Sequence, residues 1–202
     1  MSSTTFRRSF LKKIAFTFFN FFFTNTLFSK SNNKKIVIIY MTRTNNTKVL
    51  AQMISSIVKA DLIELKTKIP YPKNYQRIVK QVREENERSF LPEIEDIEDI
   101  NQYEIIFLGF PTWGMQLPPP MKAFLSNYNF EGKIIIPFNT NGGYGIGNSF
   151  KTINKLATNS KIIEGFSIKG GSERDNIYFV MNDGYKNKVK HKLQKWLSHI
   201  FV

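Results

Sequence analysis

Cysteine is absent from this 202-residue chain, which excludes a disulfide framework, iron–sulfur ligation and a thiol nucleophile. Histidine is nearly absent: the two present, His191 and His199, fall in the last helical stretch and are expected at its surface. Acids are scarce, with 16 Asp and Glu against 29 Lys and Arg, and none precedes Asp61. No Gly-x-Gly-x-x-Gly opens a helix and no Lys stands in the Walker position, so neither a dinucleotide fingerprint nor a P-loop fits. No acid, base or nucleophile stands out as catalytic, and no metal-ligand set is expected. The net charge of +13 suits an acidic partner or nucleic acid. The basic residues are scattered, without an Arg-rich stripe interleaved with aromatics, so nucleic acid is not expected.

What is present suits one globular domain with a full core: 42% of residues are hydrophobic and 14% aromatic, with 19 Phe. The first 33 residues are a different kind of sequence. Arg7-Arg8-Ser9-Phe10-Leu11-Lys12 precedes a Phe-rich apolar body over 14–28. A charged head before an apolar body is the layout of an export signal. The head resembles a twin-arginine signal, departing at Phe6, where that pattern prefers Ser or Thr. The body is short of the roughly 20 residues of a spanning helix, and no Ala-x-Ala site follows it. Residues 1–33 are therefore expected to export the protein or tether it to a membrane; without a working signal the protein would be cytoplasmic.

From 34 to 202 strand-like and helix-like segments alternate. Strands are expected over 36–41, 61–65, 104–110, 133–138 and 162–168, the first and third being continuous, β-branched and buried. Helices are expected from about Asn45, over 75–88, over 118–128 with prolines where missing N–H groups cost least, over 149–157, and at the C-terminus. The acidic stretch 93–100 reads as a solvated connector rather than a metal cluster. Such alternation implies βαβ units: a three-layer, doubly wound α/β sandwich around a parallel sheet. Ligands of such sheets bind beyond the carboxyl ends of the strands, at the switch in strand order.

That rule brings three loops together. The first, Thr42-Arg43-Thr44-Asn45-Asn46-Thr47, sets hydroxyls and amides at a helix start, where free N–H groups and the helix dipole favour a phosphate. The competing expectation is ordinary capping by Thr44 or Asn45. The second loop is 111–116, opening Pro111-Thr112-Trp113-Gly114 before Met115 and Gln116, and the third is 139–147, with Thr140-Asn141-Gly142-Gly143-Tyr144-Gly145 at its centre. Trp113 and Tyr144 are suited to sandwich a flat heteroaromatic ring, and the glycines allow close backbone approach.

These residues resemble the flavodoxins and flavodoxin-like FMN proteins over about 33–202. The family's phosphate loop is Ser/Thr-x-Thr-Gly-Asn-Thr; here Asn45 replaces Gly, which asks Asn45 to take a positive φ. The second loop resembles the family's isoalloxazine loop and the third its second ring-binding loop. The resemblance implies five parallel strands in the order 2-1-3-4-5 and one noncovalent FMN. It also implies a peptide at Gly114 that reorients toward the flavin N5, and ring faces shielded by Trp113 and Tyr144. The expected function is electron transfer between a redox partner protein or membrane quinone and a second component. The alternative is an FMN-dependent NAD(P)H:quinone oxidoreductase, with the loop after Gly170-Gly171 lending part of a substrate pocket. A third reading keeps the fold without flavin.

Overall fold

The computed structural model describes residues 35–201; the expected export segment or tether, residues 1–33, lies outside the described residues. In chain order the elements are β1 (Ile36–Tyr40), α1 (Asn46–Val58), β2 (Asp61–Glu64), α2 (Tyr75–Glu87), β3 (Ile105–Pro111), α3 (Pro119–Asn127), β4 (Ile134–Asn141), α4 (Ser149–Leu156), β5 (Lys161–Ile162), β6 (Phe166–Lys169) and α5 (Asp183–Ile200). All strand pairings between them are parallel, in the order β2-β1-β3-β4-β5, with β6 also on β4.

Side chains alternate across the sheet with period two, and both faces are covered. Val37, Ile39, Ile106, Leu108 and Phe110 pack against α3 and α4, while Ile38, Tyr40, Ile105, Phe107 and Phe138 pack against α1 and α5. α2 packs on α3. Gly109 in β3 is a close approach: a Cβ there would lie 2.1 Å from Cζ of Phe138.

The expected single fifth strand arrives in two pieces. Ile135 pairs with Ile162 and Phe138 with Phe166, so three steps along β4 oppose four along the edge, a bulge of one residue. Ile163 N donates to Ile135 O at 2.9 Å. By alternation Pro137 faces the same edge, without an N–H to offer it. The bulge is pinned from α5 by Trp196, whose Nε1 donates to Glu164 O at 3.0 Å.

The acidic stretch is the expected connector: Ile94 bridges to Thr67, and Ile94, Ile97 and Ile100 pack on the core while the carboxylates between them are exposed. His191 and His199 are exposed on α5. Among the described residues no helix is long and apolar enough to cross a membrane.

Candidate functional site

Because β1, β3, β4 and β6 run parallel, the loops that follow them stand on one rim, and they enclose a cleft of about 810 Å³. That is within the range of about 300–1,000 Å³ usual for a small-molecule site. Of the sixteen residues expected at the site, all but Thr42, Asn45 and Gly143 line it.

Asn45 takes φ 63, the left-handed conformation its place in the motif requires, and makes no side-chain cap. Thr44 does not cap either; its Oγ1 accepts from Asn46 Nδ2 at 2.8 Å. The first backbone bond into α1 runs from Val49 N to Asn45 O. The N–H groups of Asn46, Thr47 and Lys48 therefore have no carbonyl within the helix. No acid stands in the first turn. Thr47 Oγ1 meets Thr140 Oγ1 at 2.8 Å, tying this helix start to the end of β4. Thr42 lines a neighbouring hollow of about 290 Å³, and its buried Oγ1 has no hydrogen-bond partner among the described residues.

Arg43 lines the cleft, and its guanidinium is held by protein partners. Its Nε donates to both carboxylate oxygens of Glu173 (2.6 and 2.8 Å), and its Nη atoms donate to Pro72 O and Lys73 O. The guanidinium is engaged on three sides, holding the loop before α2 and the loop after β6 against the cradle. Asn46 does the same for the far part of that last loop: Nδ2 donates to Tyr178 O at 2.7 Å, and Oδ1 accepts from Val180 N at 3.0 Å.

The second loop is a tight hairpin. Trp113 and Gln116 exchange backbone bonds (3.2 and 3.0 Å) across Gly114 at φ 55 and Met115 at φ 59. Positive φ at both central residues defines a type I′ turn, a cost that Gly114 does not carry and Met115 does. Trp113 is half-buried, its ring edge-on to Tyr71 at 5.2 Å. Burial first, then a 2.5 Å hydrogen bond to Glu85, pushes the Tyr71 hydroxyl far above its ordinary range, so it stays neutral.

In the third loop Asn141 Oδ1 accepts from Gly143 N (2.9 Å) and Gly145 N (3.1 Å), folding the glycines around one side chain. Thr112 Oγ1 donates to Gly145 O at 3.1 Å, joining the second and third loops. Tyr144 is 63% exposed, its hydroxyl accepting from Arg174 Nη1. A Cβ built on Gly114 or Gly145 would meet nothing within 4 Å, so both backbones face open space where a flat ligand can lie against them.

One wall was not expected from the sequence: Val79, Arg83 and Asn86 of α2 line the cleft. Met115 and Gln116, the end of the second loop, line it too, as does the stretch 171–174 of the loop after Gly170-Gly171. For α2 the signal was Val79 itself, 47% exposed beside buried Ile78 and Val82. Behind this wall Lys122 Nζ donates to Asn86 Oδ1 (2.8 Å) and Gln116 Oε1 (3.2 Å), and burial lowers its pKa.

Fold and cleft define a class: a doubly wound α/β protein with an anion-ready helix start and two ring-flanking loops at its switch point. The chain belongs to the flavodoxin family, whose model matches residues 35–183. Among solved structures it is similar to a flavoprotein in complex with FMN from Lactobacillus acidophilus NCFM, at 26% identity over 71% of this chain and 98% of that one, TM-score 0.59. It also shares its fold with a putative flavoprotein from Bacteroides eggerthii DSM 20697, at 24% identity over 84% of this chain and 99% of that one, TM-score 0.65. No curated protein matches the chain.

Proposed function

We propose that this chain holds one noncovalent FMN in the rim cleft and carries electrons between redox partners. The observation that carries the reading is the uncapped start of α1: the N–H groups of Asn46, Thr47 and Lys48 have no helical partner, and Thr44, Asn46 and Thr47 line the cleft there. A helix start left uncapped suits a bound phosphate. Family membership and the FMN complex of the Lactobacillus relative agree with it.

When bound, the flavin supplies one- and two-electron transfer, and the protein supplies binding, orientation and electrostatics. The α1 amides and the Thr44 and Thr47 hydroxyls hold the phosphate. Trp113, braced by Tyr71, and Tyr144, bonded to Arg174, flank the ring and keep water from it. Gly114 and Gly145 present bare backbone to its edge. Absorption spectroscopy of the purified protein, with FMN and riboflavin added back to the apoprotein, tests the assignment. A colourless protein that takes up neither ligand overturns it.

The excess of lysine over acid favours an acidic partner protein, and export or tethering would bring a membrane quinone within reach as the other electron partner. We assign residues 1–33 to export or tethering on Arg7-Arg8-Ser9-Phe10-Leu11-Lys12 and the apolar body after it. Replacing Arg7 and Arg8 together by lysine should strand the protein in the cytoplasm in a fractionation assay; undiminished export removes the twin-arginine reading.

One observation favours the alternative, an NAD(P)H:quinone reductase. The cleft continues past the three loops to Val79, Arg83 and Asn86 of α2, giving a second flat molecule a wall of its own. Sustained NADPH consumption with a quinone selects the reductase; bound flavin without turnover selects the carrier.

A further inference from the structure

The loop between β6 and α5 leaves three consecutive large apolar residues in solvent: Ile177, Tyr178 and Phe179 are 47%, 52% and 48% exposed. None of the three lines the cleft, and no ring pair among the described residues involves Tyr178 or Phe179. Three adjacent large apolar side chains held together in solvent make a patch of the size that is often functional.

The backbone holds the tip out. Ile177 N donates to Ser172 O at 2.9 Å, and Asn46 clasps Tyr178 O and Val180 N. Gly171 packs beneath, with the carbonyls of Ile177 and Tyr178 only 2.4 Å from where its Cβ would stand. The main chain is thus fixed while the side chains protrude.

Cations flank the tip. Lys169 and Arg174 precede it; Lys186, Lys188 and Lys190 follow within the first ~10 Å of α5. None of these five forms an ion pair among the described residues. The five cations outnumber the three acids of the same stretch: Glu173 is held by Arg43, Asp175 accepts from Ser172 Oγ, and Asp183 is exposed in the first turn of α5.

We propose that this lysine-flanked tip is a wedge that docks the protein on an anionic lipid bilayer. Aromatic and aliphatic side chains settle at the boundary between headgroups and acyl chains, and nearby lysines are drawn to the anionic leaflet. Area argues against a protein partner. Three half-exposed side chains offer roughly 300 Å², well short of the ~800 Å² per partner of a stable interface. The tip shares its rim with the cleft, so docking turns the flavin-bearing side toward lipid, where a membrane quinone is met. That consequence rests on the FMN reading; the docking does not.

The absence of native cysteine permits a position-specific test on the full chain. Ile177→Cys and, as reference, Thr158→Cys in the exposed turn before β5 at the opposite rim, each carry a polarity-sensitive fluorophore. Each is mixed with phosphatidylcholine vesicles with or without phosphatidylserine, and with brominated acyl chains as quencher. With phosphatidylserine the probe at 177 should shift to the blue and be quenched several-fold more than the probe at 158. Replacing Tyr178 and Phe179 together by serine should weaken this partitioning on the order of tenfold. A probe at 177 that keeps its aqueous emission on both vesicles overturns the proposal, whether or not the protein sediments with lipid. Burial of that probe without lipid as protein concentration rises, or only on adding an acidic protein, also overturns it, assigning the tip to a second copy or to that partner. Flavin content is read separately by absorbance, so either reading can fail without the other.

Discussion

Replacing Gly147 by alanine tests whether the two ring loops act as one unit. Gly147 has φ +56, and its missing Cβ would lie 1.9 Å from the Met115 carbonyl oxygen and 2.5 Å from its carbon. The same carbonyl accepts from Asn148 N at 3.0 Å. Alanine therefore meets three costs: about 1–2 kcal/mol for a left-handed conformation, about 1–3 kcal/mol for overpacking, and about 0.5–1.5 kcal/mol if the Asn148 bond is broken. Together they reach about 2.5–6.5 kcal/mol, a large part of the 5–15 kcal/mol typical of a domain.

Gly132 isolates the first cost. It has φ +70 and nothing within 4 Å of its built Cβ, so Gly132→Ala should lose only about 1–2 kcal/mol. Urea unfolding of both apoproteins measures the difference, and fluorescence titration measures ligand affinity. Gly147 does not line the cleft but Met115 does, so its alanine variant should bind FMN and riboflavin about tenfold more weakly, a shift of ~1.4 kcal/mol for each. Gly132→Ala should bind both normally. The reasoning fails if the two variants are equally stable, or if Gly147→Ala loses FMN but keeps riboflavin.

Thr44→Ala should weaken FMN about tenfold or more while sparing riboflavin, since a hydrogen bond to a charged group contributes ~1.5–3 kcal/mol; equal losses would move the phosphate away from α1. Arg43→Ala and Glu173→Ala should show a coupling of about 1–3 kcal/mol in a double-mutant cycle of unfolding free energies, because the pair is largely buried (15% and 16% side-chain exposure). Additive effects would reduce the pair to a surface contact. Tyr103 is pushed up from 10.0 to about 12 by burial, by its 2.9 Å bond to Asp61, and by the charges of Asp61 and Glu98. The folded state thus holds this proton more tightly than the unfolded chain. The contribution is full below pH 10.0, declines as pH rises, and is gone above about 12. Tyr103→Phe should flatten that alkaline limb of the stability curve, followed by the tyrosinate absorbance band; an unchanged limb contradicts the assignment.

β1 and β3 were legible because strands covered on both faces read as continuous apolar runs. Asn45 was legible because positive φ is a property of one residue. The edge strand was not: its bulge answers Pro137 on the neighbouring strand, and the apolar spacing of 162–168 carries no trace of that neighbour. Nor was α2 as a wall, since a helical pattern shows which face is apolar but not that Val79 turns its edge to a cleft. Lys133 was legible only as the start of a strand; nothing in the spacing shows that its Nζ is buried on the carbonyls of Ile100, Asn101 and Tyr103.

Arg43 shows the general reason. An arginine inside a phosphate-loop motif reads as part of the cofactor site, and its partner Glu173 stands 130 residues away. Only the topology, which carries the chain through four helical crossovers before β6 returns it to the same rim, brings the carboxylate to the guanidinium. The cradle is therefore not a self-contained loop. Its helix start is bolted to β4 through Thr47 and Thr140, and to the last loop through Arg43 and Asn46. A Cβ on Gly170 would stand 3.1 Å from Thr140 Cβ and 3.4 Å from Asn46 Cβ, so backbone from β6 packs against both bolts. Motif spacing shows where an anion can bind. Whether the amides are held open for it depends on side-chain pairs that lie far apart in sequence.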